Sequence, residues 1–132
     1  GLKVSRAFGS FDDAPLGAAS LAQVHRATLR DGRPVAVKVQ RPAILDTIHT
    51  DLALLAGLAS KADRVTAVGQ RMRFAERVHE FRRTLLAELD YRVEADNLDR
   101  FRDRLARYPE LVVPEPIHDL TRGRVLTMTL VE

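Results

Sequence analysis

Hydrophobic positions along the chain change their period twice, which divides it into three zones. From Phe8 to Gln40 the sequence is strand-like and rich in small residues. Leu21 to Leu29 and Pro34 to Gln40 flank Arg30-Asp31-Gly32-Arg33, and an Asp-Gly pair between two such runs is a strong hairpin signal. From about Pro42 to Tyr108 the period becomes helical. Ile44, Ile48, Leu52 and Leu55 recur at steps of four and three, the spacing of one buried helix face. A polar, glycine-containing break follows around residues 63–70. Phe74, Val78, Phe81, Leu85 and Leu89 then predict a second amphipathic helix, which Leu98, Phe101 and Leu105 continue until Pro109 stops it.

The last zone returns to strands. Leu111-Val112-Val113-Pro114 reads as a short run at a strand end or edge. Residues 124–131 form a run rich in Val, Thr and Leu after a Thr121-Arg122-Gly123 turn. Strands, helices, strands is an α+β order, with a small antiparallel sheet of about five strands against two or more helices. At 132 residues the chain is long enough for one core and too short for two. It is read as one partial domain, 1–132, with strands over 8–40, helices over 42–108 and closing strands over 111–132.

Composition narrows the chemistry. Apolar residues make up 45% and charged residues 30%, the balance of a folded soluble chain rather than a disordered one. No apolar run is long enough to cross a bilayer, and no leader or lipidation pattern stands out. With no cysteine there is no disulfide, thiolate nucleophile or Cys-based metal site. The net charge of +3 is spread among both signs, and only five Phe and two Tyr are present. Nucleic-acid binders cluster their cations and add stacking aromatics, so no nucleic-acid partner is expected. His25, His49, His79 and His118 share no metal-ligand spacing. Ser20, His25 and Asp31 lack the strand-turn-helix elbow of a nucleophilic serine. The arginines of the helical zone (Arg71, Arg73, Arg77, Arg82, Arg83 and Arg92) fit either a solvated face or anionic headgroups.

Lys38, in Pro-Val-Ala-Val-Lys-Val-Gln, is the most informative residue. It has two readings: an edge-strand lysine turned to water, or the phosphate-binding lysine of a kinase-type strand, which resembles the Val-Ala-Ile-Lys motif. The second reading needs an acidic partner on a helix and a loop without bulk upstream. Gly17-Ala18-Ala19-Ser20 lies a hairpin's distance before it. Asp90, Glu94 and Asn97 fall at i, i+4 and i+7, one face of a helix, and are open to a solvated role or to pairing with Lys38.

Taken in order, these blocks resemble the UbiB-type (AarF or ADCK) atypical protein-kinase-like family. The blocks are Phe11-Asp12, Pro15 with Gly17 to His25, Asp31-Gly32, Val35 to Pro42, Asp51-Leu52, Glu88-Leu89-Asp90-Tyr91 with Glu94-Ala95 and Asn97, Val113-Pro114, and Arg124 to Met128. One departure is Gly17, where the family loop more often has alanine. The resemblance implies a kinase-like N-terminal lobe with a long helix of the αC type. It implies ATP or ADP with Mg2+ as cofactor, bound by Gly17, Ala18, Ala19, Ser20 and Lys38. Glu94 is implied as the partner of Lys38, with Glu88 as the alternative, and Glu88 and Asp90 as the family's acidic motif. No catalytic residue and no metal ligand is expected here. The catalytic and metal-binding aspartates are expected beyond Glu132, on a C-terminal lobe that is the main partner, so the lobe alone is expected to be inactive. The implied parent is an atypical kinase or ATPase linked to ubiquinone or other isoprenoid-lipid metabolism. The alternative is a non-catalytic pseudokinase module that binds a partner or a lipid. A cytoplasmic location is expected, with a membrane surface as a further partner through other parts of the parent.

Overall fold

The computed structural model describes residues 4–19 and 21–131. They form two compact units: Gly1–Arg41 with Leu89–Glu132, and Pro42–Glu88.

The first unit is α+β. A one-turn helix α1 (Val4–Ala7) leads into strands β1 (Phe8–Phe11), β2 (Gly17–Ala18), β3 (Ala22–Leu29) and β4 (Pro34–Gln40), and β5 (Val125–Thr129) closes the sheet. All pairings are antiparallel, in the order β1-β3-β4-β5, with β2 also beside β3. The expected hairpin joins β3 to β4. Gly32 turns it at φ +93°, where a Cβ is strained, and the Leu29 and Arg33 backbones close it. Asp31 Oδ1 accepts from the Arg33 amide at 3.0 Å and Oδ2 from its guanidinium, which lowers the Asp31 pKa.

Strand β4 is internal, paired on both sides, so its two faces have different neighbours. Val35 and Val37 join Phe8, Ala27 and Leu29 in one apolar cluster. The alternate residues Ala36, Lys38 and Gln40 share the other face, opposite Leu126 and Met128. On that face lies a second cluster: Ala22 and Leu126 with Tyr91 and Ala95 of helix α5 (Tyr91–Leu105). The step from Tyr91 to Ala95 to Leu98 is one helix face, and it is the face α5 buries.

The second unit contains α2 (Ile44–Val65), α3 (Ala67–Met72) and α4 (Phe74–Glu88). The polar break expected near 63–70 is two sharp joints. At the first, Thr66 is extended, and its hydroxyl accepts from the Gly69 amide at 2.9 Å. At the second, Arg73 takes the left-handed conformation, and the Asp63 carboxylate accepts from the first two amides of α4 at 2.9 and 3.0 Å. Leu52 and Ala59 are the buried residues of α2.

Two sequence expectations need correction. Helix does not run unbroken from Phe74 to Leu105: α4 ends at Glu88, and α5 starts afresh at Tyr91. Asp90 is the cap between them, its side chain accepting from the Arg92 amide at 3.1 Å. Nor is Leu111-Val112-Val113 a strand. Glu115 exchanges bonds with Thr129 and the Ile117 amide reaches the Thr127 carbonyl, but Pro114 and Pro116 have no amide to extend that ladder.

Candidate functional site

Lys38 sits on the α5-facing side of an internal strand, which removes the edge-strand reading. Its Nζ lies 3.2 Å from Glu94 Oε2 and 3.3 Å from Oε1, and the two side chains are 30% and 37% exposed. Both are thus half-buried: desolvated enough to hold their geometry and open enough to admit a ligand. Glu94 is in the first turn of α5, where a carboxylate also meets the positive end of the helix dipole.

Tyr91 completes the support, a role the sequence reading missed. Its ring lies 5.1 Å from Lys38 Nζ, within cation–π range, and the residue is buried. Burial pushes the Tyr91 hydroxyl pKa up, the Glu94 carboxylate raises it further, and the Gln40 amide beside it acts the other way. The hydroxyl therefore stays protonated, and the ring is a neutral floor for the ammonium. The signal was present in the sequence: Tyr91 and Glu94 are three apart, adjacent on a helix surface. Gln40 is buried on the same side and donates from Nε2 to the Leu89 carbonyl at 3.0 Å, fixing the backbone just before the Asp90 cap. Its Oε1 accepts no bond from any described residue.

The small-residue loop lies at the start of β3. Gly17 and Ala18 pair with Val24 and Gln23, and the Ala19 amide donates to the Ala22 carbonyl at 2.9 Å. These residues are exposed, and a Cβ on Gly17 would meet nothing within 4 Å. Space alone does not demand glycine there, so alanine fits at that position. Ser20, the fourth expected phosphate-loop residue, lies outside the described residues.

Asp90 and Glu88 hold different positions from Glu94. Asp90 does not extend a stripe with Glu94. It caps α5 and holds Arg92 through two bonds at 3.0 and 2.8 Å, and that guanidinium lowers its pKa. Glu88 is exposed at the last turn of α4, in the other unit. His25 Nδ1 is 2.9 Å from the Asp12 carbonyl, and its ring stacks on Phe11 at 5.1 Å.

The family described as the ABC1 atypical kinase-like domain matches residues 1–132. The chain belongs to that family. Among curated relatives it is similar to a probable protein kinase UbiB of Cellvibrio japonicus, 42% identical over 128 residues, covering 97% of this chain and 23% of the relative. The probable UbiB kinase of Xylella fastidiosa is also 42% identical over 128 residues, with the same two coverages. That of Pseudomonas aeruginosa is 39% identical, covering 97% of this chain and 24% of the relative. This chain thus spans about a quarter of the length of these relatives. Among solved structures, Rv3197 of Mycobacterium tuberculosis in complex with erythromycin matches with a TM-score of 0.83 at 31% identity, covering all of this chain and 32% of that one. The α+β layout is therefore that of a kinase-like N-terminal lobe.

The site is a half-buried ammonium held by a carboxylate and an aromatic ring, with a loop of small residues near the same end of the sheet. Among the described residues no three His, Asp or Glu side chains converge as metal ligands, and no helix is long and apolar enough to cross a membrane.

Proposed function

We propose that this chain is the nucleotide-binding lobe of a UbiB-type atypical kinase or ATPase, with Lys38 as its phosphate-binding cation. The observation that carries this reading is the Lys38–Glu94 pair joining the inner strand β4 to helix α5. A lysine held this way keeps its ammonium at one point instead of sweeping through solvent, which is what electrostatic stabilisation of phosphates requires. Lys38 binds the α- and β-phosphates, Glu94 positions Lys38, and Gly17, Ala18, Ala19 and Ser20 allow close approach of the backbone.

ATP, with Mg2+, would supply the transferable phosphoryl group when bound, with ADP as the leaving group. The metal ligands and the catalytic base belong to the rest of the parent protein, as does any link to isoprenoid-lipid metabolism. One lobe of this kind binds and orients without turnover. Titration of the natural-length protein with Mg-ATP, beside its Lys38→Ala variant, tests the reading. Binding that weakens on the order of tenfold or more is expected from loss of a charge-assisted phosphate contact. Equal affinity in the two proteins overturns it.

A further inference from the structure

Directly after β4, Arg41 makes two contacts that the sequence reading gave no role. Its backbone amide donates to the Leu21 carbonyl at 2.9 Å, and its side-chain Nε donates to the Ala19 carbonyl, also at 2.9 Å. Both carbonyls lie in the stretch between β2 and β3. The Arg41 side chain is itself exposed, and beyond Nε it has no bond to any described residue.

We propose that Arg41 is a positioning residue for the phosphate site: it clamps the small-residue loop and adds a second cation there. This rests on the nucleotide-binding reading above. Two physical points support it. A loop that receives phosphate must present amides and keep its carbonyl oxygens, which repel anions, turned elsewhere. Arg41 engages the carbonyls of Ala19 and Leu21, which orients the backbone of those two residues, and it adds to the short β2–β3 pairing and the Ala19 amide bond to Ala22. The second point is charge. Glu94 offsets the charge of Lys38 beyond contact range, so a second cation raises the net positive charge that a polyphosphate meets. Arg41 lies three residues beyond Lys38, just past the end of β4, a backbone distance of about 10 Å, comparable to the length of a polyphosphate, and its bond to Ala19 turns its side chain toward the loop. The terminal nitrogens of its guanidinium, which bond no described residue, form a planar fork suited to phosphate oxygens.

Two variants separate the clamp from the charge. Arg41→Ala removes both, while Arg41→Lys keeps the charge and loses the Nε bond to Ala19. Neither empties a core position, so folding is retained. Hydrogen exchange at the Leu16 and Ala19 amides, with Mg-ATP titration at low and high salt, is measured on the natural-length protein. Both variants are expected to exchange Ala19 several-fold faster. Arg41→Ala is expected to bind nucleotide on the order of fivefold more weakly at low salt, with Arg41→Lys between it and the unsubstituted protein. Unchanged exchange overturns the clamp, and faster exchange with unchanged affinity overturns the role in the phosphate site. If the unsubstituted protein binds no nucleotide, the reading of the site itself fails, while the exchange rates still decide whether Arg41 holds the loop.

Discussion

Glu94 reaches Lys38 with both carboxylate oxygens, at 3.2 and 3.3 Å, across 56 residues of sequence. A contact between residues so distant in the chain exists only if the sheet and α5 are both formed, so the pair reports on the assembly of the first unit. Because both side chains are about one-third exposed, their coupling is modest, about 1 kcal/mol or less. The effect on nucleotide binding is expected to be larger than the effect on stability. Glu94→Gln should weaken Mg-ATP binding with little change in the denaturation midpoint. In combination with Lys38→Ala it should add almost nothing, since a positioning residue has no function once its target is gone. Fully additive losses in a double-mutant cycle would assign Glu94 a separate role.

The Asp90 cap has a sign in pH. Its pKa is lowered from the ordinary 3.8, first by the Arg92 side chain and also by the Arg92 amide, while desolvation opposes this. A carboxylate depressed in the folded state contributes stability above its unfolded value, and that contribution is lost as pH falls through the folded pKa. Asp90→Asn can still cap α5 but cannot titrate. Its stability curve below about pH 4 should therefore be flatter than that of the unsubstituted protein, the two curves converging in acid. At neutral pH, Asp90→Ala should cost about 1 kcal/mol, as loss of an N-cap does. Urea denaturation across pH 2.5–7, values chosen to span the ordinary range of a carboxyl, would reveal a parallel pair of curves if Arg92 does not matter.

Much of the first unit was legible because local chemistry and tertiary pairing agree there. Asp31-Gly32 marks the hairpin, and the β-branched run of β4 suits a strand buried on both faces. The α4–α5 break was hidden because Leu89 keeps the apolar period running up to it. The cap signal of Asp90, followed by Glu94 in the first turn, competed with that period and was read as part of a stripe. Periodicity also marks an apolar face without showing that anything covers it: Phe81 and Phe101, placed on buried stripes, are 54% and 57% exposed. At the site, Lys38 and Glu94 were found through spacing and resemblance. Tyr91 stands one helical step from Glu94, a spacing that could have marked it, whereas the contact of Arg41 lies in a side-chain nitrogen that no spacing rule encodes.

Strand β5 and the residues before it hold a buried hydroxyl network that is open to an isosteric test. Thr127 is fully buried, and its hydroxyl donates to the Leu120 carbonyl at 2.8 Å. Its amide donates to the Thr121 hydroxyl at 3.2 Å, which in turn donates to the Ile117 carbonyl at 2.9 Å. Thr127→Val keeps the shape and leaves the Leu120 carbonyl without its donor, so a loss of about 1–3 kcal/mol is expected. Thermal or urea denaturation measures it. A neutral result would mean that water replaces the lost donor.

Two glycines of the second unit make opposite predictions for the same substitution. Gly57 lies inside α2 with nothing within 4 Å of the position a Cβ would take. Alanine there gains helix propensity without a clash, so Gly57→Ala should stabilise by about 0.5–1 kcal/mol. Gly69 is also helical, yet a Cβ on it would overlap the Ala62 carbonyl and crowd the Asp63 amide, both backbone groups that cannot rotate away. The same propensity gain is available to Gly69→Ala, but α3 must separate from the end of α2 to admit the methyl group. Overpacking of this kind costs about 1–3 kcal/mol, more than propensity returns, so the net change is destabilising. The Thr66 hydroxyl bond to the Gly69 amide ties α3 to this joint, so the strain has no low-cost route of release. Denaturation midpoints that move in the same direction for both variants would show that backbone propensity, and not the close approach at Ala62, governs the joint.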